Sequence, residues 1–439
     1  MNKTRKVLAA ALAVVVAGTL AACGVKEEEK PPAASPGAGN SSAGSDKKPV
    51  KLRILWWGSQ ARHDATLKAL DLYTKKNPHV TFEPEFQAFD GYLDKISTMA
   101  AAKNLPDIVQ TDAAWINDWG STNRLMDLTN QINVKDVDQA LLNTGKYKDK
   151  LYAVPLGNNA YGFVYNKAAV DKLGIAPPKY GWTWDEFFAF AKEARAKLDK
   201  DKWVMKDFTA DYGVYSAYQV SKGLGFPETS DGKFNFDKAT WLEYMNKMGE
   251  LRAAGISTPP DVTTADKGQD AKLDLMVQDK ILLRTSHAAE YPGFEALKKD
   301  QLALVNMPKA KQGGGWLKAS MYWSISPDTK NADEAKKFID WFINDTEVAD
   351  ILGTSRGVPV SKKVLDYLQP KFSAVDKAGI ELIAKTAIDG ATFDPGPGKK
   401  NNWDNFTKEY DNLTQQIMFG KMTPDQAWAE VEKLSKTIK

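Results

Sequence analysis

Three side chains that could hold a small polar molecule stand at the ends of apolar segments in this sequence. Trp57 and Gln87 are the last residues of two such segments, and Asp112 directly follows a third. Aromatic rings pack against apolar faces of small molecules, whereas amides and carboxylates exchange hydrogen bonds with polar groups. Ligands of open α/β sheets bind beyond the carboxyl ends of the strands, so we expect these side chains to share one cleft.

The segments that must position these side chains alternate between strand and helix patterns. Apolar residues recur on one face of each predicted helix, and Asn77-Pro78 ends the first of them. This alternation favours βα units and a mostly parallel sheet. The predicted strands cover 51–57, 80–87 and 108–111, and the predicted helices cover 63–77 and begin again near Asp90.

The same order of elements recurs after residue 155. Thr183 and Glu186 have the spacing of a capping box, which predicts a helix that runs to about Leu198. Two α/β lobes of this size predict a cleft between them. The other predicted elements are strands over 162–165 and 280–286 and helices over 332–344, 403–419 and 424–437.

The composition excludes several classes of site. A length of 439 residues predicts two to three domains, at roughly 100–200 residues each. The single cysteine rules out a disulfide framework, and three scattered histidines without a His-Glu-x-x-His pattern argue against a metal centre. The 59 basic and 56 acidic residues leave no basic excess for nucleic acid. We therefore expect no metal, no cofactor and no nucleic-acid partner.

The N-terminus predicts export. Three basic residues within the first six positions precede an uncharged apolar segment, 7–20, that is shorter than the roughly 20 residues of a membrane-spanning helix. Leu20-Ala21-Ala22-Cys23 resembles the bacterial lipobox. The resemblance implies that a signal peptide, 1–22, is removed and that Cys23 is acylated, as by palmitate. The protein would then be anchored by lipid alone on the extracytoplasmic face of the cell membrane. The alternative is an ordinary signal peptide with a chance cysteine.

Residues 23–49 are predicted to form a disordered tether. They are rich in Glu, Lys, Pro, Gly and Ser, which cannot bury enough apolar surface to fold. A flexible chain of this length spans about 25–30 Å. Such a tether would let a globular part stand off the membrane and still reach a membrane partner.

Several short segments in a fixed order carry a family resemblance that extends from Lys51 to Lys439. They are Asn104-Leu105-Pro106-Asp107-Ile108-Val109, Leu151-Tyr152-Ala153-Val154-Pro155, Val164-Tyr165-Asn166-Lys167, Trp182-Thr183-Trp184-Asp185-Glu186-Phe187 and Gly357-Val358-Pro359-Val360. Together they resemble the family 1 extracellular solute-binding proteins, the maltose-binding type, which serve bacterial ABC importers.

The resemblance implies an α/β, two-lobed periplasmic-binding-protein type II fold with three hinge crossovers and a ligand cleft between the lobes. It also implies a non-enzymatic monomer that closes on a carbohydrate, in particular an oligosaccharide, and delivers it to ABC permease subunits. The crossovers are expected near 155–158, 316–320 and 357–359. The N-terminal lobe would comprise 50–156 plus 318–357, and the C-terminal lobe 157–317 plus 358–439.

The candidate ligand-binding residues follow from the chemistry of a pyranose, which has apolar faces and a rim of hydroxyls. Rings suit the faces, and planar amides, carboxylates and guanidinium groups suit the rim. Trp57 and Trp115 are the preferred stacking rings, Asp112 could also cap a helix, and at most one of Tyr322 and Trp323 should face the cleft. The full set is Trp57, Gln60, Arg62, Gln87, Asp112, Trp115, Asn158, Asn159, Tyr161, Ser286, His287, Tyr322, Trp323, Arg356 and Trp403.

Other interpretations of the same sequence stay open. The fold could bind a peptide or a polyamine, or the chain could be a secreted glycosidase with two acidic catalytic residues. A sensor role would leave the same sequence pattern. Arg62, Arg284 and Arg356 are consistent with an acidic sugar, but ordinary ion pairs account for them equally well.

Overall fold

A computed structural model of the chain describes residues 48–89, 91–266, 273–397 and 402–438. The predicted signal peptide, Cys23 and most of the predicted tether lie outside these ranges. The strands are β1 (Val50–Trp57), β2 (Val80–Gln87), β3 (Ile108–Thr111), β4 (Lys146–Tyr147), β5 (Lys150–Leu151), β6 (Val154–Pro155), β7 (Asn158–Asn166), β8 (Trp203–Met205), β9 (Ile281–His287), β10 (Leu302–Asn306), β11 (Trp316–Ala319), β12 (Tyr322–Ile325) and β13 (Ala391–Thr392).

The helices alternate with these strands along the chain. They are α1 (Gln60–Lys76), α2 (Tyr92–Ala101), α3 (Ala113–Ser121), α4 (Gln139–Asn143), α5 (Lys167–Leu173), α6 (Trp184–Lys197), α7 (Tyr212–Ser221), α8 (Lys238–Ala253), α9 (Pro260–Ala265), α10 (Tyr291–Leu297), α11 (Ala332–Asn344), α12 (Thr346–Leu352), α13 (Lys362–Leu368), α14 (Ala374–Asp389), α15 (Trp403–Met418) and α16 (Pro424–Ser435). In the described ranges, none of them combines the length and the apolarity that a bilayer crossing requires.

The chain builds two lobes, each on its own sheet. The first sheet has the strand order β2-β1-β3-β12-β6, and the second has the order β13-β11-β7-β9-β8 with β10 also paired to β7. Trp56, Phe338 and their neighbours fill the core of the first lobe, whereas Phe163 and Trp241 belong to the core of the second. The α/β, two-lobed fold expected from the sequence is therefore confirmed.

The register of the first sheet brings two predicted site residues together. β1 and β2 pair in parallel over eight residues, from Val50 opposite Val80 to Trp57 opposite Gln87. Trp57 and Gln87 therefore end neighbouring strands at the same edge. Asp112 follows β3, which is the other parallel neighbour of β1.

The predicted parallel pairing holds among β1, β2 and β3, from which it was inferred, but the two sheets as a whole are mixed. β7 is antiparallel to β9, β10 and β11, and β12 is antiparallel to both β3 and β6. The reason is that the chain passes from one lobe to the other between β6 and β7, and again between β11 and β12. A strand that enters a lobe from such a passage is antiparallel to a neighbouring strand that leads back to it.

The chain passes between the lobes three times, at the crossovers near 155–158, 316–320 and 357–359. These three passages are hydrogen-bonded to one another. The amide of Ser320 donates to the carbonyl of Gly157 at 2.9 Å, and Asn158 and Val358 exchange backbone hydrogen bonds of 2.6 and 3.1 Å. The Ser320 hydroxyl also donates to the carbonyl of Arg356. The three passages thus form one compact junction.

Helix α6 begins where the sequence predicts. The Thr183 hydroxyl accepts a hydrogen bond from the amide of Glu186 at 3.2 Å, and the Glu186 carboxylate accepts one from the amide of Thr183 at 2.6 Å. This capping box satisfies amides that the first turn of a helix leaves without partners.

Candidate functional site

The carboxyl edge of the first sheet carries an aromatic cluster of four rings, called here the first-lobe cluster. The ring centre of Trp57 lies 5.5 Å from Phe89, 5.0 Å from Tyr92 and 5.5 Å from Trp115. Trp57 is 7% exposed and Trp115 9%, whereas Phe89 is 55% exposed. The two predicted stacking rings therefore lie together, and Phe89 offers the largest free surface beside them.

Asp112 both caps a helix and faces the second lobe. One carboxylate oxygen accepts a hydrogen bond from the amide of Ala114 at 3.1 Å, which caps α3. The other lies 3.9 Å from Nζ of Lys318, a residue of β11 in the second sheet. Nζ of Lys318 is also 5.2 Å from the ring centre of Phe393. The two roles considered for Asp112 are compatible.

The second lobe presents its own aromatic cluster, called here the second-lobe cluster. Tyr161 stacks on Trp316 with ring centres 4.5 Å apart, and Trp316 lies 5.4 Å from Phe226 and 6.1 Å from Phe393. Trp316 is only 5% exposed, and across the described residues its indole N–H has no hydrogen-bond acceptor. The His287 ring lies 5.1 Å from Tyr161.

The lobes meet in the segment that follows β13. The side-chain amide of Asn117, on α3, donates to the carbonyl of Gly396 at 2.9 Å. Phe393 packs against the cores of both lobes. A cavity of about 700 Å³ opens beside this contact and is lined from both sides by Asn117, Asn143, Lys146, Tyr147, Lys148, Asp149, Ser230, Asp231 and Pro395.

Two carboxylates of the second lobe lie at this boundary. A methyl carbon placed on Gly396 would come within 3.3 Å of the side chain of Glu228. Burial, together with the charge of Asp394, raises the pKa of Glu228 to about 7. Burial also raises the pKa of Asp394. Removal from water penalises the charged form of both groups, as is common at binding sites.

The predicted arginines, Arg62 and Arg356, donate hydrogen bonds to other groups of the protein. Arg356 is 3% exposed and donates to the side chains of Gln110 and Thr66. Arg62 donates to the carbonyl of Ser355 at 2.9 Å. Burial lowers the pKa of Arg62 to about 10, and burial together with the charge of Arg62 lowers the pKa of Arg356 well below its ordinary value. Both guanidinium groups therefore tie the third passage to the first lobe.

Four predicted residues are enclosed by protein atoms. Tyr322 and Trp323 are both 0% exposed, because β12 is flanked by β3 and β6 and has both faces covered. At most one of them was expected to face the cleft, and the structure gives neither an exposed surface there, so both are corrected as candidate ligand-binding residues. Trp403 is 0% exposed in the second core, where its indole donates to Gly232, and Ser286 is 1% exposed.

Most of the other predicted residues make local hydrogen bonds, whereas Asn158 lines a cavity. Gln60 bonds to Asp64 on the same helix, and His287 caps a short 3-10 helix. The side chain of Asn159 accepts hydrogen bonds from two backbone amides, at Ala160 and Ala289, so it fixes a turn. Asn158 lines a second cavity, of about 360 Å³, whose other lining residues come from both lobes.

Several residues near the lobe boundary were not anticipated from the sequence. They are Phe89, Phe226, Glu228, Trp316, Phe393 and Asp394. Phe89 follows the end of β2 by two residues, a position that the strand-end rule could have included. Phe226, Glu228 and Asp394 lie between regular elements, where no periodic pattern points to them.

Comparison with known proteins identifies relatives over most of the chain. Residues 68–378 match the family described as bacterial extracellular solute-binding protein. The multiple sugar-binding protein of Streptococcus mutans is 23% identical over 314 residues, covering 69% of this chain and 73% of that protein. The melibiose/raffinose/stachyose-binding protein MelE of Bacillus subtilis is 24% identical over 355 residues, covering 75% and 79%.

A solved structure shares the fold. The periplasmic oligogalacturonide-binding protein of Yersinia enterocolitica, in complex with saturated digalacturonic acid, superposes with a TM-score of 0.75. It is 21% identical in sequence, and the match covers 89% of this chain and all of that one.

Proposed function

Since this chain belongs to the bacterial extracellular solute-binding protein family, we propose that it captures an oligosaccharide and delivers it to an ABC permease. The lobes close around the sugar, and the permease subunits recognise the closed form. The proposed role is binding and transfer without a chemical step. The names of two relatives, a multiple sugar-binding protein and a melibiose/raffinose/stachyose-binding protein, support this ligand class.

The observation that carries the proposal is the aromatic cluster that each lobe presents beside the boundary between the lobes. Trp57 and Phe89 belong to the first cluster, and Trp316 and Phe393 to the second. Asp112, which lies 3.9 Å from Nζ of Lys318, and Asn117, which donates to the carbonyl of Gly396, supply polar groups at the same boundary. Rings flanked by carboxylates and amides suit the faces and the hydroxyl rim of a sugar.

We propose the junction of the three passages as the hinge. The sequence-based bounds are 50–156 plus 318–357 for the N-terminal lobe and 157–317 plus 358–439 for the C-terminal lobe. Because Lys318 and Ala319 pair with β7 in the second sheet, we propose that the second N-terminal segment begins at Ser320 instead. The tight packing at Gly157 supports the hinge, because a methyl group there would lie 1.8 Å from the carbonyl oxygen of Arg356. The protein would act as a monomer.

We also propose that Cys23 carries the lipid anchor. The sequence Leu20-Ala21-Ala22-Cys23 supports this, because the chain's single cysteine occupies the position that lipoprotein processing requires. The expected test result is a fatty-acylated N-terminal peptide in mass spectrometry of the purified membrane fraction. Cys23→Ala should release the protein from the membrane. Membrane retention of that variant would contradict the proposal.

The ligand class is tested by thermal unfolding of the chain from residue 24, which omits the lipidated cysteine, in the presence of oligosaccharides, peptides and polyamines. A ligand at 100 times its Kd stabilises the fold by about 2.7 kcal/mol. Stabilisation by a sugar supports the proposal. Stabilisation by a peptide or polyamine alone overturns the ligand class, and hydrolysis of a sugar overturns the binding-only role.

A pair of matched variants locates the binding site. Phe89→Ala removes the exposed ring of the first-lobe cluster and should weaken sugar binding about tenfold, since one ring contact contributes about 1 kcal/mol or more. Phe419→Ala removes a ring of comparable exposure, 44%, at the end of α15. Calorimetry should find unchanged affinity for the Phe419 variant. Equal affinities of both variants would exclude the first-lobe cluster.

A further inference from the structure

Arg356 is a buried cation at the junction of the three passages, and its charge has no counter-charge beside it. The residue is 3% exposed. The ion pairs in the described ranges involve other arginines, and no carboxylate oxygen there lies within 4.0 Å of Arg62 or Arg356. Burial and the neighbouring charge of Arg62 both lower the pKa of Arg356. A guanidinium group stays protonated in proteins, so this site retains a buried positive charge that the chain does not compensate.

The partners of Arg356 leave one of its donors unused. Nη1 donates to the side-chain oxygen of Gln110, and Nη2 donates to the hydroxyl of Thr66 at 2.8 Å. Cζ lies 4.7 Å from the ring centre of Trp323 and 5.5 Å from that of Phe342, and aromatic faces stabilise a cation without carrying a negative charge. Among the described residues, the enclosed Nε has no hydrogen-bond acceptor. A buried donor of this kind needs an acceptor from outside the chain.

A small cavity adjoins this guanidinium group. Its volume is about 30 Å³, and among the described residues that line it Arg356 alone has a polar side chain. Phe342, whose ring centre lies 5.5 Å from Cζ of Arg356, forms part of the wall together with Leu156 and Val360. Gly353 also lines the cavity and is half-buried, so the cavity reaches the surface. A water-sized particle needs roughly 10–15 Å³, so a monatomic ion fits this cavity and a sugar does not.

We infer that this cavity binds one monatomic anion, a halide such as chloride, beside Nε of Arg356. A halide accepts the unused hydrogen bond and offsets the buried charge, which is the usual requirement for a charge removed from water. The cavity is lined from the first and the third passage, so a bound anion links these two passages. The site is independent of the proposed sugar binding, because neither aromatic cluster of the lobe boundary lines it.

Thermal unfolding of the chain from residue 24, without sugar, tests the inference in solution. Sodium chloride or sodium bromide replaces sodium gluconate at constant ionic strength, because the gluconate anion is too large for the cavity. The Tm should rise along a saturable curve, by about 2 °C at a halide concentration ten times the Kd. The inference is overturned by equal Tm values in gluconate and halide, and also by a rise that does not saturate.

Two arginine variants locate the halide effect. Arg356→Gln removes the charge and the Nε donor and should abolish the dependence of Tm on halide. Arg195→Gln is the matched control, because Arg195 donates to backbone carbonyls of the second lobe and has no carboxylate within 4.0 Å in the described ranges. The control should keep the full dependence. A saturable halide effect that persists in the Arg356 variant overturns the inference.

Bromide in crystals of the unaltered protein gives a measurement that does not require the Arg356 variant to fold. An anomalous difference peak is expected between Arg356 and Phe342, at hydrogen-bond distance from Nε. Absence of this peak overturns the inference, wherever else bromide binds. Sugar binding is measured separately, so failure of the anion site leaves the proposed function intact.

Discussion

The side-chain amide of Asn117 in the first lobe donates a 2.9 Å hydrogen bond to the backbone carbonyl of Gly396 in the second. Asn117 is 8% exposed, so this bond is largely shielded from water. It joins the lobes at the segment after β13, away from the hydrogen-bonded junction of the three passages. This bond therefore joins the lobes at a place separate from that junction.

Asn117→Ala should favour separation of the lobes in the absence of ligand. The variant loses a buried hydrogen bond and leaves the Gly396 carbonyl without that donor, a change of about 1–2 kcal/mol. Small-angle scattering should show a larger radius of gyration. Asn143→Ala is the control, because Asn143 lines the same cavity but bonds within its own lobe to Gln139 and Lys146. Equal radii for both variants would contradict the prediction.

Arg356→Ala should lower the free energy of unfolding by about 3 kcal/mol. It removes a buried side chain and leaves the oxygens of Gln110 and Thr66 without their donor. Urea unfolding measures the change. Arg62→Ala, at a less enclosed arginine of the same region, should cost clearly less. A loss below about 1 kcal/mol for the Arg356 variant would show that water replaces its contacts.

Thr183→Ala should lower the free energy of unfolding by about 1 kcal/mol, because the hydroxyl that caps α6 is lost. Thr183→Ser retains the hydroxyl and should stay close to the parent protein. Thermal or urea unfolding distinguishes the two variants. Equal destabilisation by Ser and Ala would assign the effect to the methyl group of Thr183.

His63 should make stability depend on pH below about 6.5. Burial, assisted by the charges of Arg62 and Arg356, lowers the pKa of His63, and its Nδ1 accepts a 3.0 Å hydrogen bond from the Trp56 indole. The unfolded state binds a proton more readily, so this stability is present above the unfolded pKa and is lost as pH falls. His63→Asn offers a non-titrating acceptor and should flatten the profile of unfolding free energy between pH 7 and 5. An unchanged slope would assign the effect to other groups.

Glu228 should change stability with pH in the direction opposite to that of His63. Its folded pKa of about 7 exceeds the ordinary value of 4.5, so its protonated form stabilises the fold below pH 4.5 and that contribution is lost as pH rises through 7. Glu228→Gln should therefore raise the free energy of unfolding at pH 8, by at most about 3 kcal/mol, and change it little at pH 4.5. Urea unfolding at the two pH values tests this. Destabilisation at pH 8 would mean that the charged carboxylate has a stabilising partner.

Local sequence patterns predicted elements well where a period and an end signal coincide. β2 and α11 have the predicted bounds, and the capping box at Thr183 begins α6. Strand direction was not predictable from the same patterns. Alternating residues identify a strand, but the antiparallel pairing of β7 with β9 depends on passages between the lobes that no local pattern encodes.

The candidate site was predictable only at strand ends. Trp57 and Trp115 flank the carboxyl edge of the first sheet and lie in one cluster. The prediction that Trp323 could face the cleft was wrong. The alternation of side chains along β12 does not show that both faces of this strand are covered. Phe226 and Glu228 lie in a loop of the second lobe, and only the folding of that loop against α15 and β11 brings them to the boundary.

The interleaving of the two sheets also constrains how the protein is made. β12, which stands between β3 and β6 in the first sheet, is encoded after every strand of the second sheet except β13. A nascent chain that ends before Tyr322 therefore lacks the strand that joins β3 to β6. The first lobe therefore completes its sheet only after Ile325 has been synthesised, and the second lobe only after β13.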